Sequence, residues 1–573
     1  MQQNPPGPGV STWQEPTMQL DGVEYILVPN DVNFSLNVDS STPVPFLLYA
    51  LYFGQDITSD SLYDFLVDKL MPDDVYQRKF ASRLVFYGPE PWPRLKPGFH
   101  VGFQTWGVHV HHQAYVRGNR EVASGPYVFF QRRVWQPWRV YNDHKATFMC
   151  TFKPKHGKLD CPTPGTGGRV IVPSRCYYTK TARQPFAGMR IGVQDNIDIA
   201  GHKTTLDNDR ALPELLPAAA HVRCLHFLLS AGAIIVGKLK HLTFTYPEAP
   251  AVGSLTGQFD HRDGRPQAPR VFGSGSAAAI CLYDWLDFSL GSDSKWSFIS
   301  SHGANDLFAN YYIARGSLPM PAVYNGCHAM RPTTDIVKAK GVIAQFPDFS
   351  MPSFLCRDIS QFSKMISVSV GRPCRLREHF IEDRIEILCP SDYLSTANDE
   401  ETRVTNQFIH GLEIAFKTDR SVISIANRWK EDMPDGIENN EIAAYLKTTG
   451  IYPFIRDSKE VSTALGGNDR AESSLSNPRP ASEMLAKLDI IKSISEEKLA
   501  ECIRRCEVYR GWLLSKIFEA DSKEKLKVMV IPGVEGKAHH SGEPEPLDDL
   551  LSGYASANMS AILQAPELAA VGM

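Results

Sequence analysis

The chain has 573 residues, of which 43% are apolar and 22% charged, and it carries a formal net charge of −4 with 11 cysteines. This length and apolar content suffice for two or more packed units. The near-neutral charge, without a dense Lys/Arg run, argues against a nucleic-acid partner. The longest apolar run, Phe227–Gly237, is too short to span a bilayer, and the cysteines lack the spacing of a disulfide framework.

The N-terminal part of the chain is predicted to contain a tail and a small domain. Residues 1–20 are polar and rich in proline, which predicts a disordered tail and not a signal peptide. Residues 21–153 are predicted to form an α+β domain. Its short apolar segments, such as Glu24–Val28 and Ser82–Tyr87, indicate strands, and Ser59–Leu70 indicates a helix.

Three histidines in this domain are candidates for a metal site. On a strand, His109 and His111 share one face and could form a metal pair, with His112 beside them. No acidic or cysteine ligand is placed nearby by sequence, so a polar strand face is the favoured interpretation and no metal is expected. A connector is predicted at residues 154–184, which include the Gly/Pro-rich run Cys161–Gly168.

From residue 185 onward, strand-like segments alternate with helical ones, which predicts α/β packing. Several ordered blocks rich in glycine and serine lie in this part, and such residues let backbone N–H groups approach a substrate closely. The blocks are Gly188–Asp198 with Gly201 and Thr204–Thr205, Ala231–Lys238, Phe272–Ile280 with Tyr283–Asp287, Leu290–Ser294, and Arg315–Ala322 with Gly326 and Met330–Pro332.

In this order the blocks resemble the amidase signature family of serine hydrolases. They are similar especially to a fungal branch from pigment and other secondary-metabolite gene clusters, often labelled scytalone dehydratase-like. That branch reads Gly-Ser-Ser-Ser-Gly-Ser-Ala-Ala-Ala, then Tyr-Asp-Trp-Leu-Asp, then Gly-Thr-Asp-Thr-Gly-Gly-Ser-Ile-Arg-x-Pro-Ala. The resemblance is clearest over residues 185–390. It implies an α/β fold with an amidase-signature core over residues 185–573, in which a mixed central sheet is flanked by helices, and an extra N-terminal domain before it.

The resemblance also implies acyl transfer by a serine nucleophile, a second serine in a cis peptide bond and a lysine base. The nucleophile position keeps its residue, Ser317. The lysine position is Gln194, whose amide cannot accept a proton near neutral pH. The relay position is Gly273, with Ser274 one place later. The matched triad therefore retains its nucleophile and loses its usual base and relay.

The same matching places the oxyanion and substrate loop at Ser294, Arg315 and Gly316. Lys238, by contrast, matches a Gly-Lys that follows a strand in the family and is not the catalytic base.

The spacing of the catalytic block is longer than in the family. Ser317 lies 44 positions after Gly273, roughly twenty more than the family motif allows. Removing residues 295–314 restores the family spacing, so this segment is interpreted as an insertion, either a real loop or an intron retained in frame. It has no clear helix or strand period, which favours the retained intron. Ser297, a competing nucleophile candidate, lacks the neighbouring glycine pair that would supply backbone donors.

The C-terminal part resembles the family more weakly. Residues 456–481 are polar and predict a linker, and residues 483–527 predict a long amphipathic helix in which Cys502 and Cys506 belong to the core. Residues 558–573 resemble a late family segment that leads into a core strand. Because the family chain continues beyond this point, a truncated C-terminus is predicted.

Two main functions follow from the resemblance, and both remain open at this stage. The first is a hydrolase of fungal secondary metabolism that acts on an amide or ester, with impaired activity. The second is an inactive pseudo-amidase or small-molecule binding module, and a site repurposed for dehydration or cyclisation is a weaker third alternative. The expected partner is a small amide or ester, with a polyketide-derived compound as one option. No cofactor, nucleic acid or membrane partner is expected, and a cytoplasmic location is predicted.

Overall fold

The structure is a computed structural model. It describes residues 15–52, 58–90, 110, 112–145, 147–155, 158–160, 168–205, 216–240, 274–293, 296–300, 311–315, 318–342, 351–371, 385–394, 399–447, 449, 495–520, 525–532 and 553–571. The predicted polar linker at 456–481 lies outside these residues, as does most of the predicted tail.

The chain divides into two compact units. Unit 1 comprises Met1–Gly192, Leu228–Lys238 and Trp285–Asp287, and unit 2 comprises Val193–Phe227, Leu239–Asp284 and Phe288–Met573. The domain bounds predicted from the sequence stay predictions.

The N-terminal strands form an eight-stranded sheet in unit 1. Its order is β1-β2-β7-β6-β3-β4-β5, with β11 beside β7, and all pairs are antiparallel except β3 with β4 and β4 with β5. The strands up to residue 239 are β1 Thr17–Leu20, β2 Val23–Pro29, β3 Val44–Ala50, β4 Arg83–Gly88, β5 His112–Arg117, β6 Gly125–Phe130, β7 Arg133–Asn142, β8 Phe148–Thr151, β9 Lys153–Lys155, β10 Lys158–Asp160, β11 Arg169–Val172, β12 Arg190–Gln194 and β13 Ile234–Leu239.

The helices of the chain are mostly short. In chain order they are α1 Ser59–Asp64, α2 Arg223–Ser230, α3 Ser274–Leu282, α4 Pro319–Asn325, α5 Gln361–Val370, α6 Ser391–Leu394, α7 Asp399–Phe416, α8 Ile425–Asp432, α9 Ile442–Tyr445, α10 Glu496–Trp512 and α11 Met559–Leu563. Wider helical turns continue α1 over Phe65–Leu70 and α10 over Leu513–Ile517, and 3-10 turns lie at Arg78–Ser82, Arg175–Tyr177 and Ser556–Asn558.

Strand β3 is buried on both faces, because side chains alternate between the two faces of a strand. Leu47 and Tyr49 pack in one apolar cluster together with residues of α1, whereas Phe46 and Leu48 pack in a second cluster with β6. Thr58 begins α1 with a capping box shared with Ser61. The helical pattern noted at residues 59–70 is therefore helical in the structure and covers one face of the sheet.

The beginning of β12 is fixed by charged side chains within unit 1. Arg190 is fully buried, and its guanidinium donates to the Asp74 carboxylate at 2.6 and 2.8 Å. Its backbone N–H donates to Asp287 at 2.7 Å, and Asp287 also pairs with Arg175 at 2.6 Å. These bonds hold the strand whose last residue is Gln194.

The second set of strands begins at residue 288. These strands are β14 Phe288–Asp293, β15 Trp296–Ser300, β16 Tyr311–Arg315, β17 His328–Arg331, β18 Met351–Cys356, β19 Ile385–Pro390, β20 Arg420–Ile423, β21 Leu526–Met529 and β22 Glu567–Ala569. In unit 2, the end of β12 lies beside β14, and the sheet continues in the order β14-β18-β17-β22. The pairs β14–β18, β18–β17 and β17–β22 are all antiparallel. Every residue of β14 and β18 is buried, so these two strands lie in the interior of the unit.

A separate three-stranded parallel sheet, ordered β20-β19-β21, lies further along unit 2. An aromatic cluster of Trp429, Tyr445, Tyr509 and Trp512 packs in the core that includes Leu388 of β19. Part of the predicted amphipathic stretch forms α10, and Cys502 and Cys506 are buried there as predicted.

The predicted insertion contains a hairpin within unit 2. Strands β15 and β16 pair in antiparallel register from Trp296 with Arg315 to Ser300 with Tyr311. Sequence reasoning found no regular period in this segment, but both strands are rich in aromatic and β-branched residues, which favour strands. Taken together, the described residues form a mixed α/β fold with sheets flanked by helices, and the predicted fold class is confirmed.

Candidate functional site

Most of the predicted catalytic residues lie outside the described residues: Gly273, Ser294, Gly316 and Ser317. Ser274 is the first residue of α3 and Arg315 is the last of β16, and only their backbones are described. Gln194 is therefore the predicted site residue whose side chain can be examined in detail. The elements that flank the others define the site around it.

Gln194 ends strand β12 and is fully buried. Its side-chain oxygen Oε1 accepts a hydrogen bond from the backbone N–H of Ser292 at 2.7 Å. A buried carboxamide held in this way has no basic atom, because the amide nitrogen cannot take a proton near neutral pH. The position predicted for the lysine base is thus occupied by a side chain that acts as a structural acceptor.

Gly291 makes this hydrogen bond possible. A Cβ atom at this position would lie 2.8 Å from Gln194 Oε1 and 2.9 Å from Leu318 Cδ2, closer than real Cβ contacts. Glycine therefore allows β14 to approach both the Gln194 side chain and the residue that directly follows Ser317. The glycine of the Leu290–Ser294 block has a packing role in the described structure.

Asp293, at the end of β14, connects the Ser317 loop to the core of unit 2. Its carboxylate oxygen Oδ1 accepts from the backbone N–H of Leu318 at 3.3 Å. Its other oxygen, Oδ2, lies 3.4 Å from Nε of Arg331, and both side chains are at most 1% exposed. The buried Asp293–Arg331 pair thereby fixes the residue after the predicted nucleophile.

Sequence reasoning did not assign a role to Asp293 or Arg331, although both lie in blocks that carry the resemblance. Their role depends on a contact between two strands that are not neighbours in sequence. Arg331 also donates to Ser560 Oγ at 3.5 Å, and Ser560 donates in turn to Glu567 of β22. The sequence shows only that Asp293 and Arg331 each stand at the end of a short strand-like segment.

The turn after Gln194 packs against β14. The side-chain amide of Asn196 donates to Ser292 Oγ, and both residues are buried. The Asp195 carboxylate accepts hydrogen bonds from the hydroxyl and the backbone N–H of Thr205. The structure therefore brings together the Gly188–Asp198 block, the Thr204–Thr205 pair and the Leu290–Ser294 block, which the sequence analysis had recognised separately.

Helix α3 begins immediately after Gly273. Gly275 is required there, because a Cβ atom would lie 2.4 Å from the backbone oxygen of Lys240. Ser276 is fully buried, and its hydroxyl has no hydrogen-bond partner among the residues that the structure describes. The predicted relay position, Gly273, thus directly precedes in sequence a helix that carries the buried Ser276 hydroxyl in its first turn.

Helix α4 begins two residues after Ser317, with Pro319 in its first turn and Leu318 as its N-cap residue. Proline is favoured at this position, since its missing N–H would have no partner within the helix. Gly326 ends the helix with a positive φ of 86°. The predicted nucleophile therefore lies just before a helix N-terminus, next to a residue whose backbone is bound by Asp293.

The remaining candidates do not add to this site. His109 and His111 lie outside the described residues, and His112 is exposed at the start of β5. Lys238 is a buried residue of β13. Among the described side chains, no group of three or more His, Cys, Asp or Glu is arranged to hold a metal ion. Within the same part of the chain, no helix has the length and apolar character needed to cross a membrane.

Comparison with known proteins relates the chain to amidases. It is 27% identical over 250 residues to amidase 1 of Oryza sativa subsp. japonica, which is 42% of this chain and 49% of that protein. It is 26% identical over 280 residues to a glutamyl-tRNA(Gln) amidotransferase subunit of Exiguobacterium, covering 48% of this chain and 49% of that protein. Mandelamide hydrolase of Pseudomonas putida is 27% identical over 195 residues, 33% of each chain.

The chain thus spans about half the length of the first two relatives, and about a third of the length of mandelamide hydrolase. No protein-family model matches it. Among solved structures, a glutamyl-tRNA(Gln) amidotransferase subunit of Thermotoga maritima aligns with a TM-score of 0.47 and 12% identity, over 74% of this chain and 80% of that one. A likeness of that extent says nothing about activity. The sequence similarity to three differently named amide-processing proteins supports the amidase-signature resemblance.

Proposed function

We propose that this chain is an amidase-signature protein whose site binds a small amide or ester and whose serine hydrolase activity is impaired. The observation that carries the proposal is the buried Gln194, which stands where the resemblance places the lysine base and whose oxygen is bound by the Ser292 N–H. The similarity to amidase 1 and mandelamide hydrolase supports an amide as the ligand class.

The site retains features that favour binding. Asp293 and Arg331 hold the residue after Ser317, and the glycines of β14 and α3 keep the backbone closely packed. What is lost is the means of activating the nucleophile, since a serine hydroxyl is weak until a base removes its proton. In a well-studied serine hydrolase, loss of one triad member costs about 10⁴–10⁶ in rate. With both the lysine and the cis-serine replaced, hydrolysis by the family's mechanism should nearly vanish.

A second candidate, a binding module without hydrolytic activity, is favoured by the same Gln194 geometry. The two differ in whether Ser317 reacts at all. The proposal places the protein in fungal secondary metabolism, with a polyketide-derived amide or ester as one option, and rests for this on the sequence motifs. It also includes a cytoplasmic location, which rests on cysteines that lack the spacing of a disulfide framework. Dehydration or cyclisation remains the alternative chemistry for a repurposed site.

Labelling with a fluorophosphonate probe separates the two candidates. An impaired hydrolase is expected to label slowly at Ser317, and the Ser317→Ala variant should lose the label. Ser297→Ala is the matched control, since this serine is the rejected nucleophile candidate from the same region and its removal should leave the label unchanged. No label on the unmodified chain at long exposure would favour the binding module. A label that persists in Ser317→Ala would contradict the assignment of the nucleophile.

A further inference from the structure

Three cysteines, which the proposed function does not use, lie near one another in unit 2. Cys281 is the next-to-last residue of α3, Cys327 directly precedes β17, and Cys356 ends β18. Cys356 lies opposite His328 in the antiparallel pair of β17 with β18, which brings it near the residue before His328. Cys327 and Cys356 are each 1% exposed, whereas Cys281 is partly exposed.

Cys327 lies directly against the face of α3 that carries Cys281. Its sulfur lies 4.0 Å from the backbone oxygen of Ala277, to which it donates a hydrogen bond. Ala277 precedes Cys281 by one helical turn, so both lie on the same face of α3. The Cys281 side chain also hydrogen-bonds to Cys327, and this contact together with burial raises the pKa of the Cys327 thiol well above its usual range.

The Arg357 side chain binds the C-terminal end of α3. Arg357 donates from its guanidinium to the backbone oxygens of Tyr283 at 3.2 Å and Asp284 at 3.1 Å, and it also binds that of Ile280. These bonds satisfy carbonyl groups at the helix C-terminus, which otherwise lack partners. The position of Cys281 relative to Cys327 is therefore set by backbone contacts on both sides and not by the two thiols alone.

We propose that Cys281 and Cys327 form a redox-active dithiol pair that closes to a disulfide when it meets a small disulfide such as oxidised glutathione. None of the nine cysteines in the described residues is joined in a disulfide. The partly exposed Cys281 is the sulfur that a dissolved oxidant can reach, and the buried Cys327 is the resolving sulfur beside it.

The exchange proceeds in two steps. Cys281 loses its proton to solvent, and its thiolate attacks one sulfur of oxidised glutathione, which forms a mixed disulfide and releases one glutathione thiolate. Cys327 then attacks the Cys281 sulfur as its proton passes to the departing glutathione sulfur, which breaks the mixed disulfide, forms the protein disulfide and releases the second glutathione as a thiol. The two protein thiols lose two electrons in total, and one glutathione disulfide is reduced to two thiols.

The disulfide would connect the far ends of the two helices that begin at the catalytic loops. Helix α3 starts just after Gly273, and helix α4 starts two residues after Ser317 and ends shortly before Cys327. Joining the ends of these helices restricts their separation and constrains the unfolded chain. The proposal is independent of whether Ser317 is reactive, because it depends on the thiols alone.

The test uses the full chain in buffers of increasing oxidised-to-reduced glutathione ratio, followed by alkylation and non-reducing peptide mapping. The expected result is loss of two alkylatable thiols, a cross-linked peptide containing Cys281 and Cys327, a raised midpoint of thermal unfolding, and full reversal by dithiothreitol. Cys281→Ser, at a partly exposed position, should abolish the cross-link while the chain still folds, as its circular dichroism would show.

Cys356→Ser is the matched control, since it removes a neighbouring buried thiol and should leave the cross-link in place. A stable glutathione adduct on Cys281 without closure would overturn the proposal, because it would show that Cys327 does not resolve the mixed disulfide. A cross-link between Cys281 and Cys356, or no loss of thiols at the most oxidising ratio, would overturn it as well.

Discussion

The side-chain oxygen of Gln194 accepts the backbone N–H of Ser292 at 2.7 Å, and a Cβ atom on neighbouring Gly291 would lie 2.8 Å from the same oxygen. The side chain at the position predicted for the lysine base is therefore packed closely against two consecutive residues of β14. This close packing leads to the first prediction, that the site tolerates little change in volume.

Gly291→Ala is expected to destabilise the fold by about 1–3 kcal/mol, the usual cost of adding a methyl group to a packed core. The added Cβ would press on Gln194 and on Leu318 at once. The free energy of unfolding in urea measures the effect. Gly411→Ala is the matched control: this helical glycine has nothing within 4 Å of an added Cβ, so the change should stabilise by roughly 0.5–1 kcal/mol. Equal effects at the two positions would contradict the packing described around Gln194.

Arg331→Met is expected to cost about 3–5 kcal/mol, because it leaves the buried Asp293 carboxylate without the cation that faces it. The exposed pair of Arg403 with Glu400 provides the comparison. Arg403→Met should change stability far less, since water screens exposed charges. Both values come from chemical denaturation at the same pH. If the buried change costs no more than the exposed one, the Asp293–Arg331 pair does not hold the Leu318 segment.

The pair of Glu413 with Arg420 predicts a pH dependence of stability. Hydrogen bonds from the Arg420 side chain and backbone lower the pKa of Glu413 from 4.5 to about 2. A depressed pKa means that the carboxylate stabilises the folded state above its unfolded pKa and that this contribution is lost as the pH falls toward 2. Glu413→Gln should therefore be less stable than the unmodified chain at pH 7, and the gap should close between pH 4.5 and 2.

The control for this titration is Glu438→Gln, at an exposed glutamate of the same unit. It should show a much smaller gap at pH 7, because it removes no contact with Arg420. Unfolding midpoints recorded across the pH series give both curves. A gap for Glu413→Gln that stays constant down to pH 2 would show that the Arg420 contact does not set the titration.

Restoring the two replaced positions, Gln194→Lys with Gly273→Ser, is expected to produce measurable amidase activity on simple aryl amides. Burial favours the neutral amine of a lysine at position 194, which is the form that acts as a base. The gain should disappear when Ser317→Ala is added to the double variant. Hydrolysis that survives the removal of Ser317 would contradict the mapping of the triad onto this chain.

The sequence was informative wherever function depends on residues close together in the chain. The Gly188–Asp198 block gave Gln194 as a site position, and Gln194 lies at the end of a buried strand. Helix α3 begins one residue after Gly273, and helix α4 begins two residues after Ser317. Glycine, proline and small residues carry this information because their backbone preferences are local.

The contacts that hold the site could not be predicted in the same way. Nothing local to Asp293 specifies that its carboxylate meets Arg331 or the backbone of Leu318, because these contacts depend on how separate elements pack. The hairpin of β15 and β16 was missed for a related reason: pairing between strands is stabilised by cross-strand neighbours that no single-strand period reveals.

Strand β17 pairs with β22, and the backbone N–H of Val571 donates to the ring of His328, 243 positions earlier in the sequence. During synthesis on the ribosome, β17 emerges long before its partner on this side exists. Its edge must therefore remain unpaired, or be shielded by other chains such as chaperones, until residues 567–571 have been made. The sheet is therefore completed late, by a contact between residues far apart in sequence. This topology predicts slow folding and a risk of aggregation during translation.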